Sequence, residues 1–357
     1  MIVNYYKSAY YYFIKSSQAY TVKFTIQHKL IFFMLSINSL FLSIKVDLDI
    51  LNTNLRTMVR ARNPILYAAA EHLFSAGGKR LRPTIVFLVA QAITGSQSVL
   101  AEHQRLAEIT EIIHTASLVH DDVLDDCAVR RGINSVHNAF NTKIAVLAGD
   151  FLFAQSSWYL ANLANLEAVK IISKVIIDFA EGEIQQNLNQ FDLTLSLPAY
   201  LEKSFYKTAS LIASSCKATT IISYKEVSEQ NYIYNYGKHL GLAFQIIDDI
   251  LDITESTKVL GKPSGSDLRN GNLTAPIFFA LYEHSELQVM IEREFYKNTD
   301  LMEASNLILN STAIEQAKDL AQEHLQAAMS SLRLTNVKFH NYIHLFQLAE
   351  YILFQIL

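Results

Sequence analysis

An all-α fold is predicted by three features of the sequence: few helix breakers, long runs of helical periodicity, and two near-identical acidic clusters that each follow an apolar helical run. Half of the 357 residues are hydrophobic, yet only 11 are Gly and 5 are Pro. Such a chain can build long helices around one large core. The clusters read Asp121-Asp122-Val123-Leu124-Asp125 and Asp248-Asp249-Ile250-Leu251-Asp252.

The first 46 residues differ from the rest, with five Lys, no Arg, no Asp or Glu, and tyrosines at Tyr5, Tyr6, Tyr10, Tyr11, Tyr12 and Tyr20. The apolar run from Leu30 to Ile44 is 15 residues long, short of the ~20 a spanning helix needs. A long leading stretch with no small-residue cleavage site fits a secretory signal poorly, and the lack of Arg fits a transit peptide poorly. Residues 1–45 are therefore set apart as an N-terminal extension to which the sequence assigns no role, and Met34 offers an alternative start. Residues 46–357 are expected to form a single all-α domain.

Helical spacing begins at Val46, Leu48, Leu51, Leu55 and Val59 and is interrupted by Asn63-Pro64. A second helix runs over 65–74. Ser75-Ala76-Gly77-Gly78 then stops it and presents Lys79, Arg80 and Arg82, with Pro83 suited to the first turn of the next helix. Glycines freeing backbone N–H groups beside cations at a helix start make an anion site, against the plainer reading of a basic surface turn. Further helices are expected over 84–93, 103–126, 144–163, 167–189, 198–223 and 229–254. After a polar, Gly-containing stretch over 255–271 come 273–283 and C-terminal helices including 314–332.

On a helix, residues 121, 122 and 125 stand at i, i+1 and i+4, so Asp121 and Asp125 share a face with Asp122 at its edge. Like charges at i and i+4 cost a helix a few tenths of a kcal/mol, a cost that a bound cation offsets. All-oxygen ligands point to Mg2+, which keeps open positions for phosphate oxygens when only one or two carboxylates hold it. One such cluster could equally be a solvated acidic patch. Its recurrence at 248–252 favours chemistry, with two acidic rims clamping divalent ions and a diphosphate between them.

Net charge is −4 and no basic tract or aromatic-plus-basic ladder appears, so nucleic acid is not an expected partner. Cys127 and Cys216 make no disulfide framework and read as small helix-packing residues in a reducing compartment.

The segments Gly77-Gly78-Lys79-Arg80-Leu81-Arg82-Pro83, DDVLD, Arg130-Arg131, Lys207-Thr208, Phe244-Gln245 and DDILD, in that order, resemble the motifs of the trans-polyprenyl diphosphate synthases. The resemblance runs from about Leu35 to the C-terminus. The stretches 64–73, 148–160 and 265–268 are similar to the cyanobacterial and red-algal plastid long-chain, solanesyl-type branch. It implies an isoprenoid synthase-type barrel of antiparallel helices around a central cavity, a homodimer, and a stromal plastid location, with mitochondrion or cytoplasm as alternatives.

The implied reaction is repeated head-to-tail condensation of isopentenyl diphosphate with an allylic diphosphate, giving a long all-trans chain for a plastoquinone-type side chain. By resemblance, Asp121, Asp125 and Asp248 bind Mg2+, more than one ion per site, and Asp122, Asp249 and Asp252 complete the two catalytic rims. Arg130, Lys207, Thr208, Gln245 and Lys262 serve the allylic diphosphate; Lys79, Arg82, His114 and Arg131 serve isopentenyl diphosphate. A histidine on an apolar helix is more often a satisfied core residue, so the role of His114 rests on its place in the motif.

Short-chain members carry a bulky aromatic residue five positions before the first aspartate; here stand Ala116 and then Ser117, the former about 7.5 Å along the helix axis from Asp121. Nothing there is expected to stop a growing tail. At ~0.8 kcal/mol per buried CH2, a long tail favours any apolar phase, so product release implies peripheral membrane contact. Two positions depart from the family pattern: Gln355 lies where relatives often carry an arginine, so no C-terminal cap over diphosphate is expected, and Asn272 replaces a lysine. A terpene cyclase would lack the paired motifs, a non-catalytic partner subunit would have lost one, and a di-iron bundle would need Glu and Glu-x-x-His ligands.

Overall fold

The computed structural model describes residues 38–75, 77–96, 98–255, 265–335 and 342–356. Residues 1–37 of the N-terminal extension, and Lys262, lie outside the described residues. The elements in order are α1 (Lys45–Met58), α2 (Pro64–Ser75), α3 (Leu81–Thr94), α4 (Ala101–Leu124), the strands β1 (Val129–Arg130) and β2 (Ile133–Asn134), and α5 (Val136–Ala139). They continue with α6 (Thr142–Ala161), α7 (Leu166–Leu188), α8 (Leu197–Ser204), a π-helical turn (Phe205–Ala209), α9 (Ser210–Ile222) and α10 (Val227–Thr254). The chain closes with α11 (Ser266–Arg269), α12 (Ala275–Glu283), α13 (Ser285–Glu292), α14 (Asp300–Leu309), α15 (Ala313–Arg333) and α16 (Ile343–Phe354). The all-α expectation holds, and the helix boundaries fall within a few residues of those read from periodicity.

Two differences from that reading matter. The single helix expected over 198–223 contains the π-helical turn, and a two-stranded hairpin follows the first aspartate motif. The hairpin pairs Val129 with Asn134 and Arg130 with Ile133. Its connecting residues Arg131 and Gly132 both have positive φ, at 53° and 78°, the backbone that a tight two-residue turn demands.

Helices α9 and α10 are joined by a short loop and pack against one another, while α9 also touches α3, α4 and α7. Eleven of the thirteen α9 residues are buried. The approach to α10 is close because α10 offers Gly237 and Gly241. A Cβ on Gly241 would stand 2.6 Å from Ala209 Cα, and one on Gly237 would stand 2.8 Å from Cys216 Sγ. Small residues four apart thus let two backbones meet and lock α10 against the π-turn. On its other side α10 packs on α15, whose stripe Ala313, Ala317, Ala321, Leu325, Ala328 and Leu332 is buried. α4 packs against α6, α3 and α9, burying Leu106, Ile109, Ile113 and Ala116. The shared core also takes in Leu40 and Ile44, both fully buried, so packed residues reach back across the 45/46 boundary placed by composition.

Candidate active site

The first aspartate motif sits at the C-terminal end of α4. Asp125 is the C-cap and Asp126 follows in the left-handed region at φ 49°. The Cys127 N–H then reaches back to the Asp122 carbonyl at 2.9 Å, a Schellman closure in which Asp takes the place usually held by Gly. The helix therefore ends at the motif and hands the chain to the hairpin that carries Arg130. Arg130 donates from Nε (2.7 Å) and Nη2 (2.5 Å) to Asp122 Oδ1. Asp122 is almost fully buried, and its other oxygen has no partner among the described residues. Burial raises the Asp122 carboxyl and Arg130 pulls it back, while Arg130 itself is raised because Asp122 outweighs its own burial.

Asp121 faces the other way. Burial first, then Glu183 and Asp125, raise its carboxyl to about 6 against the pull of Lys207 and Arg130. Asp125 is exposed. A helix C-terminus carries the negative end of the helix dipole, so these carboxylates sit where cations are needed twice over.

The glycine loop is shaped around Arg131. A Cβ on Gly78, whose φ is 152°, would stand 2.8 Å from Arg131 Nη1, and Arg131 Nη1 donates to the Gly77 carbonyl at 2.5 Å. Within this loop the basic residues divide their work. Arg80, in the left-handed region at φ 48°, turns inward to a buried ion pair with Glu111 at 2.5 Å and also donates to Asn52 Oδ1 and the Phe74 carbonyl. It anchors the loop. Arg82 donates from Nη1 to His114 Nε2 at 2.9 Å, while its buried Nε has no partner among the described residues. Burial, partly opposed by Glu111, Asp248 and Asp121, brings Arg82 down to about 10, so it stays protonated near neutrality. His114 is pushed well below its usual value by burial and then by Arg82, Arg131, Arg130 and Arg80. Its imidazole is thus neutral, with Nε2 accepting and the proton on Nδ1. Lys79 is exposed and donates to Gln355 Oε1 at 3.0 Å. The chain end does reach the loop, through a neutral amide.

The second motif lies in the last two turns of α10, and its three carboxylates part ways. Asp248 is exposed. Asp249 is buried and accepts from Tyr200 Oη at 2.6 Å and Gln245 Nε2 at 2.7 Å; burial, then Asp267, raises its carboxyl despite those donors. Asp252, fully buried, accepts from Ser266 Oγ (2.9 Å) and the Asp267 N–H (3.1 Å), holding the start of α11. One turn before Asp249, Gln245 Oε1 receives Thr208 Oγ1 at 2.5 Å. That bond follows from packing, since Gly241 against Ala209 places the next turn of α10 over Thr208.

Lys207 belongs to the π-turn, and its Nζ donates to Glu183 Oε2 and Gln186 Oε1, each at 3.0 Å. Burial would lower it, but Asp121, Glu183 and Asp125 together raise it. Gly182 makes this possible: a Cβ there would stand 2.9 Å from Tyr206 Cβ and 3.2 Å from the Lys207 nitrogen. Glu183 and Gln186 escaped the sequence reading, as did Tyr200 and the buried Lys203, which lies 6.0 Å from the Tyr200 ring centre. The available signal was Glu181-Gly182-Glu183-Ile184-Gln185-Gln186, a polar run with a helix-interior glycine. Ala116 is fully buried, and Ser117 gives its hydroxyl to the His114 carbonyl at 2.9 Å.

Both aspartate motifs act electrostatically on Arg82, through Asp121 and Asp248, and Lys207 acts on Asp121 and Asp125. The structure thus joins the two motifs, the glycine loop, the hairpin and the π-turn in one site. Among the described residues, no group of three or more His, Cys, Asp or Glu side chains could hold a metal alone. The donor chemistry still fits a hard divalent cation: Asp121 and Asp125 offer carboxylate oxygens at a negative helix end and leave further positions to a ligand.

Two acidic helix ends beside a buried basic cradle define an all-α enzyme that grips diphosphates. The polyprenyl synthetase family model matches residues 63–327. Over 300 residues the chain is 59% identical to a prenyl transferase of Porphyra purpurea, covering 84% of this chain and 93% of that one. Over 302 residues it is 53% identical to the chloroplastic solanesyl diphosphate synthase 1 of Arabidopsis thaliana, covering 84% and 74%. The crystal structure of a Caulobacter crescentus polyprenyl synthase, complexed with calcium and isoprenyl diphosphate, is similar with a TM-score of 0.83 at 33% identity, covering 89% of this chain and 97% of that one. The chain belongs to the polyprenyl synthetase family and has its all-α isoprenoid synthase fold. Members are generally Mg2+-dependent and act on isopentenyl and allylic diphosphates.

Proposed function

We infer that the protein condenses isopentenyl diphosphate repeatedly with an allylic diphosphate to give a long all-trans polyprenyl diphosphate of the solanesyl class, for a plastoquinone-type side chain in the plastid stroma. The observation that carries the reading is the convergence of both aspartate motifs on Arg82, which sets an acidic rim and a metal-free cationic cradle side by side. The chloroplastic relative supports the location.

Asp121, Asp125 and Asp248 would hold Mg2+, which neutralises the charge that develops on the departing diphosphate. Asp122, Asp249 and Asp252 serve it indirectly, because each is already committed to donors of the protein. Lys207 and Arg130 grip the allylic diphosphate, and Lys262 joins them from the loop that follows α10. Thr208 and Gln245 line the side where positive charge appears on carbon. The Thr208 hydroxyl is tied to Gln245, which keeps both groups polar without freeing a nucleophile. Lys79, Arg82 and Arg131 hold isopentenyl diphosphate; the neutral His114 fixes Arg82 and, with its Nε2 lone pair already engaged, is no base for the reaction. The proton lost on condensation passes to the released diphosphate. The small Ala116 leaves the tail free to lengthen.

Residues 46–357 with the packed turn before them act as one catalytic domain, and the extension contributes no catalytic group. The exposed apolar side chains Leu147 and Trp158 on α6 and Ile177, Ile184 and Leu188 on α7 form a face suited to a second copy, as in a homodimer. A membrane surface receives the product.

Incubating protein that starts at Met34 with labelled isopentenyl diphosphate, geranylgeranyl diphosphate and Mg2+ should give a metal-dependent ladder ending in the solanesyl class on chromatography. No elongation, repeated with the whole chain and shorter primers, would mean a partner subunit instead.

A further inference from the structure

On the face of the π-turn turned away from Lys207 lies a groove of about 620 Å³ between α7, α9, α10 and α15. Ile171, Leu201, Phe205 and Leu242 give it an apolar floor. Three lysines also line it. Lys217 is held by Asn231 Oδ1 at 3.0 Å and lies 5.7 Å from the Tyr234 ring centre. Lys238 lies 5.6 Å from the Phe205 ring centre. Neither Lys238 nor Lys174 makes a hydrogen bond or ion pair with any described residue, although Asp178 and Glu202 line the same groove. Those two carboxylates are engaged elsewhere: Asp178 accepts from Ser210 and Glu202 accepts from Tyr206 Oη at 3.4 Å. At the groove's α15 wall, His239 Nδ1 and His324 Nδ1 share a hydrogen bond at 3.0 Å, which consumes one ring nitrogen of each.

We propose that this groove is a second ligand site, separate from the aspartate motifs, and that it takes an amphiphile with a phosphate head and an apolar tail. Lys174 and Lys238 receive the head as compact point charges, and Phe205 with Leu242 receives the start of the tail. A free carboxylate partner for the lysines would have argued for a solvated ion-pair network; here their charge is uncommitted. Phe205 and Tyr206 belong to the same five-residue turn as Lys207 and Thr208, and Tyr206 presses on Gly182. An occupant of the groove therefore touches the turn that positions the allylic diphosphate grip.

The test uses the full chain in chelator, so that the aspartate motifs lack metal, with decyl phosphate titrated by calorimetry and inorganic diphosphate as the head alone. Decyl phosphate should bind once per chain, at least tenfold tighter than inorganic diphosphate. The double variant Lys174→Ala/Lys238→Ala should weaken it at least tenfold while keeping the wild-type melting temperature and the condensation rate measured without amphiphile. Equal affinity in wild type and double variant overturns the proposal, and so does binding lost only in Arg131→Gln, which would put the amphiphile in the isopentenyl cradle. Co-sedimentation with phosphatidylglycerol vesicles separates the sources: sedimentation that the double variant loses assigns the head to a membrane lipid, and decyl phosphate binding without sedimentation assigns a free prenyl-type phosphate. Because the readout is metal-free binding, it can fail while the condensation reading stands.

Discussion

Replacing Asp122 by Asn should damage the protein differently from replacing Asp121, although the two are neighbours in one motif. Asp122 is 1% exposed and one of its oxygens takes both Arg130 bonds. Asn keeps a neutral acceptor there but removes the charge, and it leaves an amide NH2 where Asp122 Oδ2 already lacks a partner. Hydrogen bonds to a charged group are worth about 1.5–3 kcal/mol. Breaking a buried pair outright costs about 3–5 kcal/mol. With the acceptor retained, the loss falls near the lower range, about 2–3 kcal/mol. A body of roughly 300 residues has an unfolding entropy of about 0.6 kcal/mol/K, so the melting temperature should fall by about 4 °C. The Mg2+ concentration for half-maximal rate should stay within about twofold of wild type, while KM for the allylic substrate rises as Arg130 loses its anchor. Asp121→Asn should do the reverse, leaving the melting temperature unchanged or higher, because a carboxyl raised by burial is lost, and moving Mg2+ activation by an order of magnitude or more. Calorimetry and a Mg2+ titration of initial rate measure both. Equal Mg2+ shifts in the two variants, with no loss of stability for Asp122→Asn, would refute the division of roles.

Gly182→Ala should lower turnover more than tenfold and cost about 1–3 kcal/mol of stability, because its Cβ meets Tyr206 Cβ at 2.9 Å and displaces Lys207; a variant with wild-type kinetics would show that the π-turn tolerates movement. Tyr200→Phe removes a donor from buried Asp249, and its destabilisation should grow as pH rises. Asp249 is already raised by burial and then by Asp267, so losing the donor penalises only its ionised form; a flat difference in melting temperature from acid to alkaline pH would count against this. Ala116→Phe should shorten the product ladder without changing Mg2+ dependence, since Ala116 is buried below Asp121 and touches no rim carboxylate. Unchanged products would remove Ala116 from the path of the growing tail.

The aspartate motifs, the glycine loop and nearly every long helix were legible in spacing alone, because i, i+4 stacking and the scarcity of breakers are local properties. The roles inside each motif were not. Whether Asp122 or Asp121 turns inward depends on Arg130 across the hairpin, and Asp249 depends on Tyr200, 49 residues away in sequence. The π-turn has no spacing signature, since one added residue per turn leaves the apolar pattern of 198–223 intact. Glu183 and Gln186 looked like the wet face of an amphipathic helix; only Gly182 hinted that another backbone comes close. The boundary at 45/46 followed a change in composition, whereas burial of Leu40 and Ile44 follows packing.

These partitions bear on how a metal would enter. Six aspartates crowd two negative helix ends, a cluster that like-charge repulsion alone would spread apart. The protein offsets half of it internally: Arg130 takes Asp122, Tyr200 and Gln245 take Asp249, and Ser266 with the Asp267 N–H takes Asp252. Lys207 offsets more of it by acting on Asp121 and Asp125 while bonded to Glu183. What remains toward the site is too dispersed for tight binding of a bare cation, since no described group of three ligands converges. A diphosphate supplies the missing oxygens, and the same diphosphate draws Lys207 and Arg130 toward itself, freeing carboxylate charge for the metal. Cation and substrate binding are therefore coupled through the two basic residues: each should tighten the other, and Lys207→Ala should raise bare-cation affinity while weakening that coupling.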